Sequence, residues 1–481
     1  MNTKETPFIG RKKELAFLEK QYKNKGGQLV IIYGRRRIGK TETIKQFCKN
    51  KDAIFFTCTQ TEDRNQLQAF SRIIFSYDIP AKQFINEFSD WEQAFLSIKD
   101  IQIKSDGTEQ KKKILVIDEF PYMAKENPSI PSILQKLWDT QLKDENIMII
   151  LCGSAMSYIE KEILAEKNPL YGRASGIYKM LPMNYFDAAQ FFPNFNNYEK
   201  IAAYSILGGI PFYLKQFDDS LSLEENICEN ILEKGSILYS EPEFLLRQEL
   251  REPGTYNTII QSVAFGNTKF NEIQQSTLIE KGKLSVYLKN LIELGILERD
   301  FPVLSTSSSM QKGSRGIYKL KDLFFRFWYS FVFPNLSPLE FGNIKIVYKN
   351  IISEKLDQFI SLPFENICTD WLSFENINNN LPFNFINIGH WWNKETEIDI
   401  IASDFNMSKI ISGECKFHKS LCDERDLKKH ISKDLKDLKL KDNCELFYYY
   451  FSWSGFTESG IKFARENNIR LVRGDEVFCQ K

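Results

Sequence analysis

The sequence predicts a multidomain α/β protein whose first domain is built on a parallel sheet. The chain has 481 residues, enough for about three domains at roughly 150 residues each. Apolar, β-branched runs at 29–33, 114–117 and 147–152 have the uniform hydrophobicity of strands that are covered on both faces. Segments with helical spacing separate these runs, which is the order of β-α-β units in a parallel sheet.

A glycine-rich loop follows the first apolar run directly. It consists of Gly34, Arg35, Arg36, Arg37, Ile38, Gly39, Lys40 and Thr41, with Glu42 next in the chain. The Gly-x4-Gly-Lys-Thr spacing between a strand and a helix is that of a Walker A loop, and a chance glycine-rich turn is the alternative. In a Walker A loop backbone N–H groups surround phosphate oxygens, so these residues are candidates to bind ATP. Lys40 would reach the β- and γ-phosphates, and Thr41 would hold Mg²⁺.

Polar residues close the other two apolar runs. Asp118 and Glu119 end the second run. There Asp118 would bind Mg²⁺ through water and Glu119 would polarise the attacking water, although a helix cap beside a solvated acid has the same pattern. Ser154 follows the third run, either as a sensor of the γ-phosphate or as a plain turn serine. Arg173 could be an arginine finger for a neighbouring subunit's nucleotide or an exposed loop residue.

The rest of the chain predicts four further segments after the first domain at 1–184. They are an α-helical lid at 185–250, a winged helix-turn-helix at 251–322, an aromatic linker helix at 323–345 and a second α/β domain at 346–481. Inside the first domain, residues 84–98 have helical spacing and 101–113 are a polar loop. In the linker the dense aromatic residues predict a buried helix, with a base-stacking platform as the alternative.

The predicted winged helix has two possible uses. Its three short helices precede two strands that would form a wing, with Lys312 and Arg315 in the loop between them. The third helix could enter the major groove of DNA with basic side chains on phosphates, or the module could pack against protein. Because basic residues are few here and phosphate contacts dominate DNA affinity, both remain open.

The last domain carries a second group of chemical residues. Glu365 lies on a predicted helix, Asp399 on a predicted strand, and Glu414 and Lys416 on the next strand. Because side chains alternate along strands, Asp399, Glu414 and Lys416 can share one face. Two carboxylates could hold Mg²⁺ on a scissile phosphate while the lysine orients water, with Glu365 as a further ligand; a solvated acidic face is the alternative.

The amino-acid composition is that of a soluble globular protein and does not indicate a nucleic-acid partner. Lys plus Arg and Asp plus Glu both number 63, so any contact with nucleic acid depends on local patches. Nine cysteines without a Cys-x-x-Cys pair predict buried thiols in a reducing compartment. No stretch approaches the roughly 20 apolar residues that span a bilayer, so we expect a cytoplasmic protein without a membrane partner.

The motifs together resemble the archaeal-type ATPases of the AAA+-related STAND P-loop class. The resemblance rests on residues 8–15, the Walker A loop, residues 117–122, 151–154 and 170–173, and the Gly-x-Pro motif at 208–211. It implies that Gly10 and Arg11 lie near the adenine and that Arg173 is the finger. The C-terminal part resembles the domain of unknown function often fused there, itself similar to the PD-(D/E)XK restriction-endonuclease fold. Ile398 stands before Asp399 where that pattern has proline.

These expectations define one function and one alternative. The first is an ATP-hydrolysing switch that oligomerises with itself on nucleotide binding and couples its state to a DNA-binding or nuclease-like domain. The alternative is a signalling scaffold with a protein-binding winged helix and no nuclease activity.

Overall fold

The computed structural model describes residues 7–102, 111–305, 316–433, 435, 438, 440 and 443–478. The chain divides into two compact units. The first unit runs up to Pro182 and includes Ile210–Phe212, and the second unit contains Met183–Gly209 and the chain from Tyr213 onward. Most of the predicted polar loop at 101–113, as well as Lys312 and Arg315, lies outside the described residues.

Five parallel strands form the described sheet of the first unit. They are β1 (Gln28–Tyr33), β2 (Ala53–Thr57), β3 (Lys113–Asp118), β4 (Ile147–Gly153) and β5 (Gly176–Lys179). Their order is β2-β3-β4-β1-β5. In the register Tyr33 pairs with Gly153, and Ile117 pairs with Leu151. The carboxyl ends of β1, β3 and β4 therefore meet at one edge, which brings the residues that follow them together.

The central strands are apolar because both of their faces are covered. Leu29 and Ile31 of β1 pack in one hydrophobic cluster, while Val30 and Ile32 pack in another. All six residues of β1 and all seven of β4 are buried. This pattern is typical of parallel strands between two layers of helices.

Helices cover the sheet of the first unit. They are α1 (Lys12–Lys23), α2 (Lys40–Cys48), α3 (Asp63–Ile74), α4 (Trp91–Leu96), α5 (Phe120–Glu126), α6 (Ile130–Leu137) and α7 (Met156–Tyr158). The predicted helix at 84–98 is wrong at its start, because α4 begins only at Trp91. The Asp90 side chain accepts a hydrogen bond from the Gln93 N–H and so caps the helix there, and Phe84 is 83% exposed.

The second unit begins with helical sequence. Its helices are α8 (Tyr185–Ala188), α9 (Asn197–Leu207), α10 (Pro211–Leu214, which starts in the first unit), α11 (Leu223–Ile227), α12 (Glu241–Glu249), α13 (Pro253–Ala264), α14 (Phe270–Thr277), α15 (Lys281–Glu293), α16 (Leu323–Phe327), α17 (Leu336–Glu340), α18 (Ile344–Val347), α19 (Ser353–Ile377), α20 (Glu424–Ile431), α21 (Glu458–Glu466) and α22 (Gly474–Phe478). No helix of the described residues is long and apolar enough to cross a membrane.

Helices α13, α14 and α15 precede an antiparallel pair of strands. The strands are β6 (Leu297–Asp300) and β7 (Ile317–Leu320). Leu284, Leu288 and Leu291 of α15 are buried, and its lysines are exposed. The aromatic residues of α16 and the turn after it are also buried, with Trp328 and Tyr329 no more than 1% exposed. Their rings are therefore unavailable for stacking on bases.

A mixed sheet forms the core of the C-terminal part. Its described strands are β8 (Asn387–Trp392), β9 (Glu397–Ser403), β10 (Lys409–Lys416), β11 (Glu445–Ser452) and β12 (Ile469–Arg473), in the order β12-β11-β10-β9-β8. Strand β9 runs antiparallel to β8 and β10, whereas β10, β11 and β12 are parallel. The 25-residue helix α19 carries Glu365.

Candidate functional site

Two glycines give the phosphate-binding loop its shape. A Cβ on Gly34 would lie 2.6 Å from the carbonyl oxygen of Met180, so only glycine fits there. Gly39 has a φ of 90°, the left-handed region that favours glycine, and it precedes the first turn of α2. No side chain of the described residues caps this helix end. Its N–H groups are therefore available to an anion.

Lys40 lies under the loop that it closes. It is 6% exposed, and its Nζ donates to the carbonyl oxygens of Gly34 at 2.9 Å and Arg35 at 3.1 Å. Burial lowers the pKa of Lys40, and the carboxylates of Asp118 and Glu119 oppose this shift. A cation held beside the uncapped start of α2 suits a polyphosphate.

Four side chains from the loop and two strand ends form a hydrogen-bonded series. Thr41 Oγ1 donates to Asp118 Oδ2 at 2.7 Å, and the Glu119 N–H donates to Asp118 Oδ1 at 3.0 Å. The Ser154 hydroxyl lies 3.0 and 2.9 Å from the two oxygens of Glu119, and the Ser154 N–H donates to Oε2 at 3.2 Å. Glu119 has a φ of 52°, a strained value for a residue with a side chain. The predicted metal, water and sensor residues are thus neighbours.

The arginines of the loop contact aromatic residues. Arg36 donates to the Tyr122 hydroxyl at 2.8 Å, and the Arg37 guanidinium lies 4.5 Å from the centre of the Phe212 ring. Arg35 is buried. Tyr122 belongs to the motif at 117–122, but the sequence assigned it no role. The sequence did not indicate Phe212, and its position directly after the Gly-x-Pro motif was the available signal.

Arg11 donates a hydrogen bond to the Walker A loop. It follows Gly10, is 4% exposed, and donates to the carbonyl oxygens of Ile38 and Leu181 at 2.7 Å each and to Glu14 at 2.8 Å. Both terminal nitrogens of its guanidinium thus donate to the protein, at three acceptors. Arg11 therefore connects the start of α1 to the Walker A loop.

Two other predicted residues form ion pairs near the surface. Arg173 Nε lies 3.0 Å from both oxygens of Asp139, and a second guanidinium nitrogen lies 2.9 Å from Oδ2. Glu42 is 61% exposed and pairs with Lys45 at 3.3 Å. Its side chain therefore lies on the outer face of α2.

The acidic residues of the C-terminal sheet lie on adjacent strands. Gly413 pairs with Ile400, so Glu414 and Asp399 are the next positions of the register. Asp399 Oδ2 accepts from the Cys415 N–H at 2.8 Å. Burial and the nearby Glu414 raise the pKa of Asp399. The two carboxyl groups therefore influence each other across the strand pair.

Two lysines and a histidine surround Glu414. Lys416 donates to Oε1 at 2.7 Å, Lys433 donates to Oε2, and the Nδ1 atom of His430 lies 3.6 Å from Oε2. Although burial opposes the shift, His430, Lys416 and Lys433 hold the pKa of Glu414 below its ordinary value. The sequence did not indicate His430 or Lys433, because His430 lies near the end of α20 and Lys433 follows that helix, far from Glu414 in the chain.

Glu365 completes this group from α19. Burial, followed by the charge of Asp399, raises its pKa to about 8. In the described part of the chain, no three His, Cys, Asp or Glu side chains are grouped as they would be around a metal ion. The charges of Asp399, Glu414 and Glu365 therefore affect one another, but the three side chains are not arranged as a complete set of metal ligands.

Comparison with known proteins gives the family. Residues 8–217 match an ATPase domain predominantly from Archaea, and residues 328–431 match archaeal and bacterial proteins of unknown function. An uncharacterised protein of Methanocaldococcus jannaschii is 34% identical over 428 residues, which cover 89% of this chain and 91% of that protein. The chain belongs to the archaeal-type P-loop ATPase family. An uncharacterised ATP-binding protein of the same organism is 52% identical over 44 residues, 9% of this chain and 75% of that protein.

Two solved structures show limited similarity to this chain. The Walker-type ATPase of Pyrococcus abyssi is 19% identical with a TM-score of 0.49, and covers 67% of this chain and 96% of its own. The ORC2 protein of Aeropyrum pernix is 14% identical with a TM-score of 0.39, over 74% and 97% of the two chains. At these values neither likeness says what this chain binds.

Proposed function

We propose that the first unit binds ATP with Mg²⁺ and hydrolyses it. The hydrogen-bonded series from Thr41 through Asp118 and Glu119 to Ser154 carries this proposal. A Mg²⁺ ion would take the hydroxyl of Thr41 and, through water, the carboxylate of Asp118. Glu119 would accept a proton from the attacking water, and Lys40 would turn from its loop carbonyls to the phosphates.

Arg173 would act on the nucleotide of a second copy of the chain. Its partner Asp139 is 45% exposed, and Arg173 itself is 30% exposed. Exposed ion pairs contribute only about 0–1 kcal/mol. Releasing the guanidinium toward another subunit would break this ion pair and the hydrogen bonds to the carbonyl oxygens of Pro169 at 3.0 Å and Tyr171 at 3.4 Å, and contacts with a phosphate of the second subunit's nucleotide would have to replace them. Gly10 and Arg11 would support the adenine end of the site through the Walker A loop.

ATP turnover in three variants tests this site. Lys40→Ala should abolish ATP binding or turnover, since it removes the ammonium that would contact the β- and γ-phosphates. Glu119→Gln should retain bound ATP and lose turnover, because the amide cannot take the proton. Lys45→Ala is the matched control: it removes an exposed lysine of the same helix and should leave both unchanged. Normal turnover in Lys40→Ala, or lost ATP binding in Glu119→Gln, would refute the assigned roles.

We also propose that the ATPase controls a DNA-directed, metal-dependent C-terminal domain. Asp399, Glu414 and Lys416 are brought near one another by β9 and β10, as a nuclease of the PD-(D/E)XK type requires, and Glu365 lies close enough to influence Asp399. Helices α13, α14 and α15, followed by the antiparallel strands β6 and β7, have the order of elements of a winged helix. The exposed lysines of α15 would contact phosphates. Two carboxylates would hold Mg²⁺ on the scissile phosphate.

Plasmid nicking with Mg²⁺ tests the second part. Asp399→Ala should eliminate cleavage and spare ATP turnover, whereas Asp475→Ala, an exposed acid of the same domain, should change neither. One observation favours the alternative of a non-nucleolytic scaffold: both oxygens of Glu414 already accept hydrogen bonds from lysines. If the wild type cleaves no plasmid without nucleotide, with ATP or with ADP, the result would support the non-nucleolytic scaffold.

A further inference from the structure

His430 has the surroundings of a metal ligand. Its ring is 1% exposed, and edge-on contacts with Tyr448 and Tyr450, at 5.7 and 5.9 Å between ring centres, fix its plane. The Nε2 atom lies 3.1 Å from the carbonyl oxygen of Ser412 and can only donate there. Histidines that bind metals usually donate their second ring nitrogen to a carbonyl or carboxylate, which leaves the lone pair of the other nitrogen for the metal.

The other ring nitrogen has no hydrogen-bond partner in the described structure. Nδ1 of His430 is buried and unsatisfied, and Glu414 Oε2 lies 3.6 Å away. Two ligand atoms about 2.1 Å from one metal ion lie roughly 3.0 to 3.6 Å apart for angles of about 90° to 118°. An ion between Nδ1 and Oε2 would therefore satisfy the orphaned nitrogen with little rearrangement.

Lys433 shows that a cation is favoured at this place. Its Nζ donates to Glu414 Oε2 and, at 2.7 Å, to the carbonyl oxygen of Glu397. The side chain is 18% exposed, so it can move toward solvent when a metal arrives. The ammonium of Lys433 thus stands where a divalent cation would neutralise Glu414.

We propose that Glu414 and His430 Nδ1 bind one divalent transition-metal ion, with Lys433 as the cation that it displaces. The inference rests on the part of the proposed function that assigns a metal to Glu414. Imidazole nitrogen favours Mn²⁺ and later first-row metals over Mg²⁺, which prefers oxygen. The site at Glu414 would therefore bind a transition-metal ion more tightly than the Mg²⁺ that its carboxylate can also hold, whereas the Walker A site takes Mg²⁺ with its nucleotide.

Mn²⁺ binding by the full-length chain without nucleotide tests this site. Electron paramagnetic resonance of the wild type should show one bound Mn²⁺ with a coupling to a ligand ¹⁴N nucleus. His430→Gln keeps a donor for Ser412 and removes the Nδ1 ligand. It should lose the ¹⁴N coupling and weaken Mn²⁺ binding by at least about tenfold, with Mg²⁺ affinity unchanged. The matched control is His418→Gln, which should keep both the ¹⁴N coupling and the Mn²⁺ affinity of the wild type.

Two further variants separate this inference from the proposed function. Lys433→Gln removes the competing cation and should strengthen Mn²⁺ binding, the opposite of His430→Gln, so a general loss of folding cannot imitate both. One result would overturn the inference while leaving the proposed function intact. In it, Glu414→Gln loses Mn²⁺, His430→Gln binds Mn²⁺ as tightly as the wild type, and neither the wild type nor His430→Gln shows a ¹⁴N coupling. His430 is then not a ligand. If Glu414→Gln binds Mn²⁺ like wild type, the metal assigned to Glu414 by the proposed function is wrong as well.

Discussion

Replacing Ser154 with alanine removes a hydroxyl that donates to the carboxylate of Glu119. The hydroxyl lies 3.0 and 2.9 Å from the two oxygens, and Ser154 is 4% exposed. A buried hydrogen bond to a charged group contributes about 1.5–3 kcal/mol. If that energy orients Glu119 toward the attacking water, its loss lowers kcat by roughly 10- to 150-fold, since each 1.36 kcal/mol is a factor of ten. The remaining Ser154 N–H, at 3.2 Å from Oε2, keeps the effect below that of Glu119→Gln.

The assay compares the rate of ATP turnover with the affinity for ATP. Ser154→Ala should lower kcat and leave the Kd for ATP within about twofold of wild type. Ser154→Thr, which retains a hydroxyl, should recover most of the rate. In the Glu119→Gln background the same substitution should have little further effect, because both changes act on one group. A loss of ATP affinity with unchanged kcat would show that Ser154 contacts the nucleotide, and the reasoning from Glu119 would fail.

Three further substitutions test other features of the structure. Arg11→Ala should lower the free energy of unfolding by about 3 kcal/mol in denaturant titrations, because the buried carbonyl of Ile38 and the partly buried carbonyl of Leu181 lose their donor; an unchanged midpoint would refute this. Gly209→Ala would place a Cβ 1.8 Å from the Met183 carbonyl oxygen and should cost at least about 3 kcal/mol, whereas Gly282→Ala, with open space around it, should not destabilise. Burial and the charge of Asp399 raise the pKa of Glu365 to about 8, so the contribution of this residue to stability is full below about pH 4.5 and is lost as the pH rises from about 4.5 to 8. Glu365→Gln should remove up to about 5 kcal/mol of that loss, and equal pH profiles for both proteins would contradict the assignment.

The Walker A loop was predictable because its chemistry is local. Strand β1, Gly34, Lys40 and the start of α2 are consecutive in sequence, and the parallel sheet brings Asp118 to the same edge. The family match confirms the predicted ATPase core. The roles of the individual residues stay predictions.

The features that the sequence missed depend on long-range contacts. Phe212 reaches Arg37 from 175 positions along the chain, and no local pattern marks that contact. His430 and Lys433 meet Glu414 through contacts with the sheet, where His430 Nε2 lies 3.1 Å from the carbonyl oxygen of Ser412 and Lys433 donates to the carbonyl oxygen of Glu397. The start of α4 was missed because apolar residues at 84–88 continue the helical spacing, whereas the cap at Asp90 decides where the helix begins.

Cleavage of supercoiled plasmid by the wild-type chain, measured with and without ATP in the presence of Mg²⁺ or Mn²⁺, tests the coupling of the two units most directly. We predict metal-dependent nicking whose rate changes with ATP, loses that dependence in Lys40→Ala and disappears in Asp399→Ala. Nicking that persists in Asp399→Ala, or that is the same with and without ATP in the wild type, would contradict an ATP-controlled nuclease-like domain.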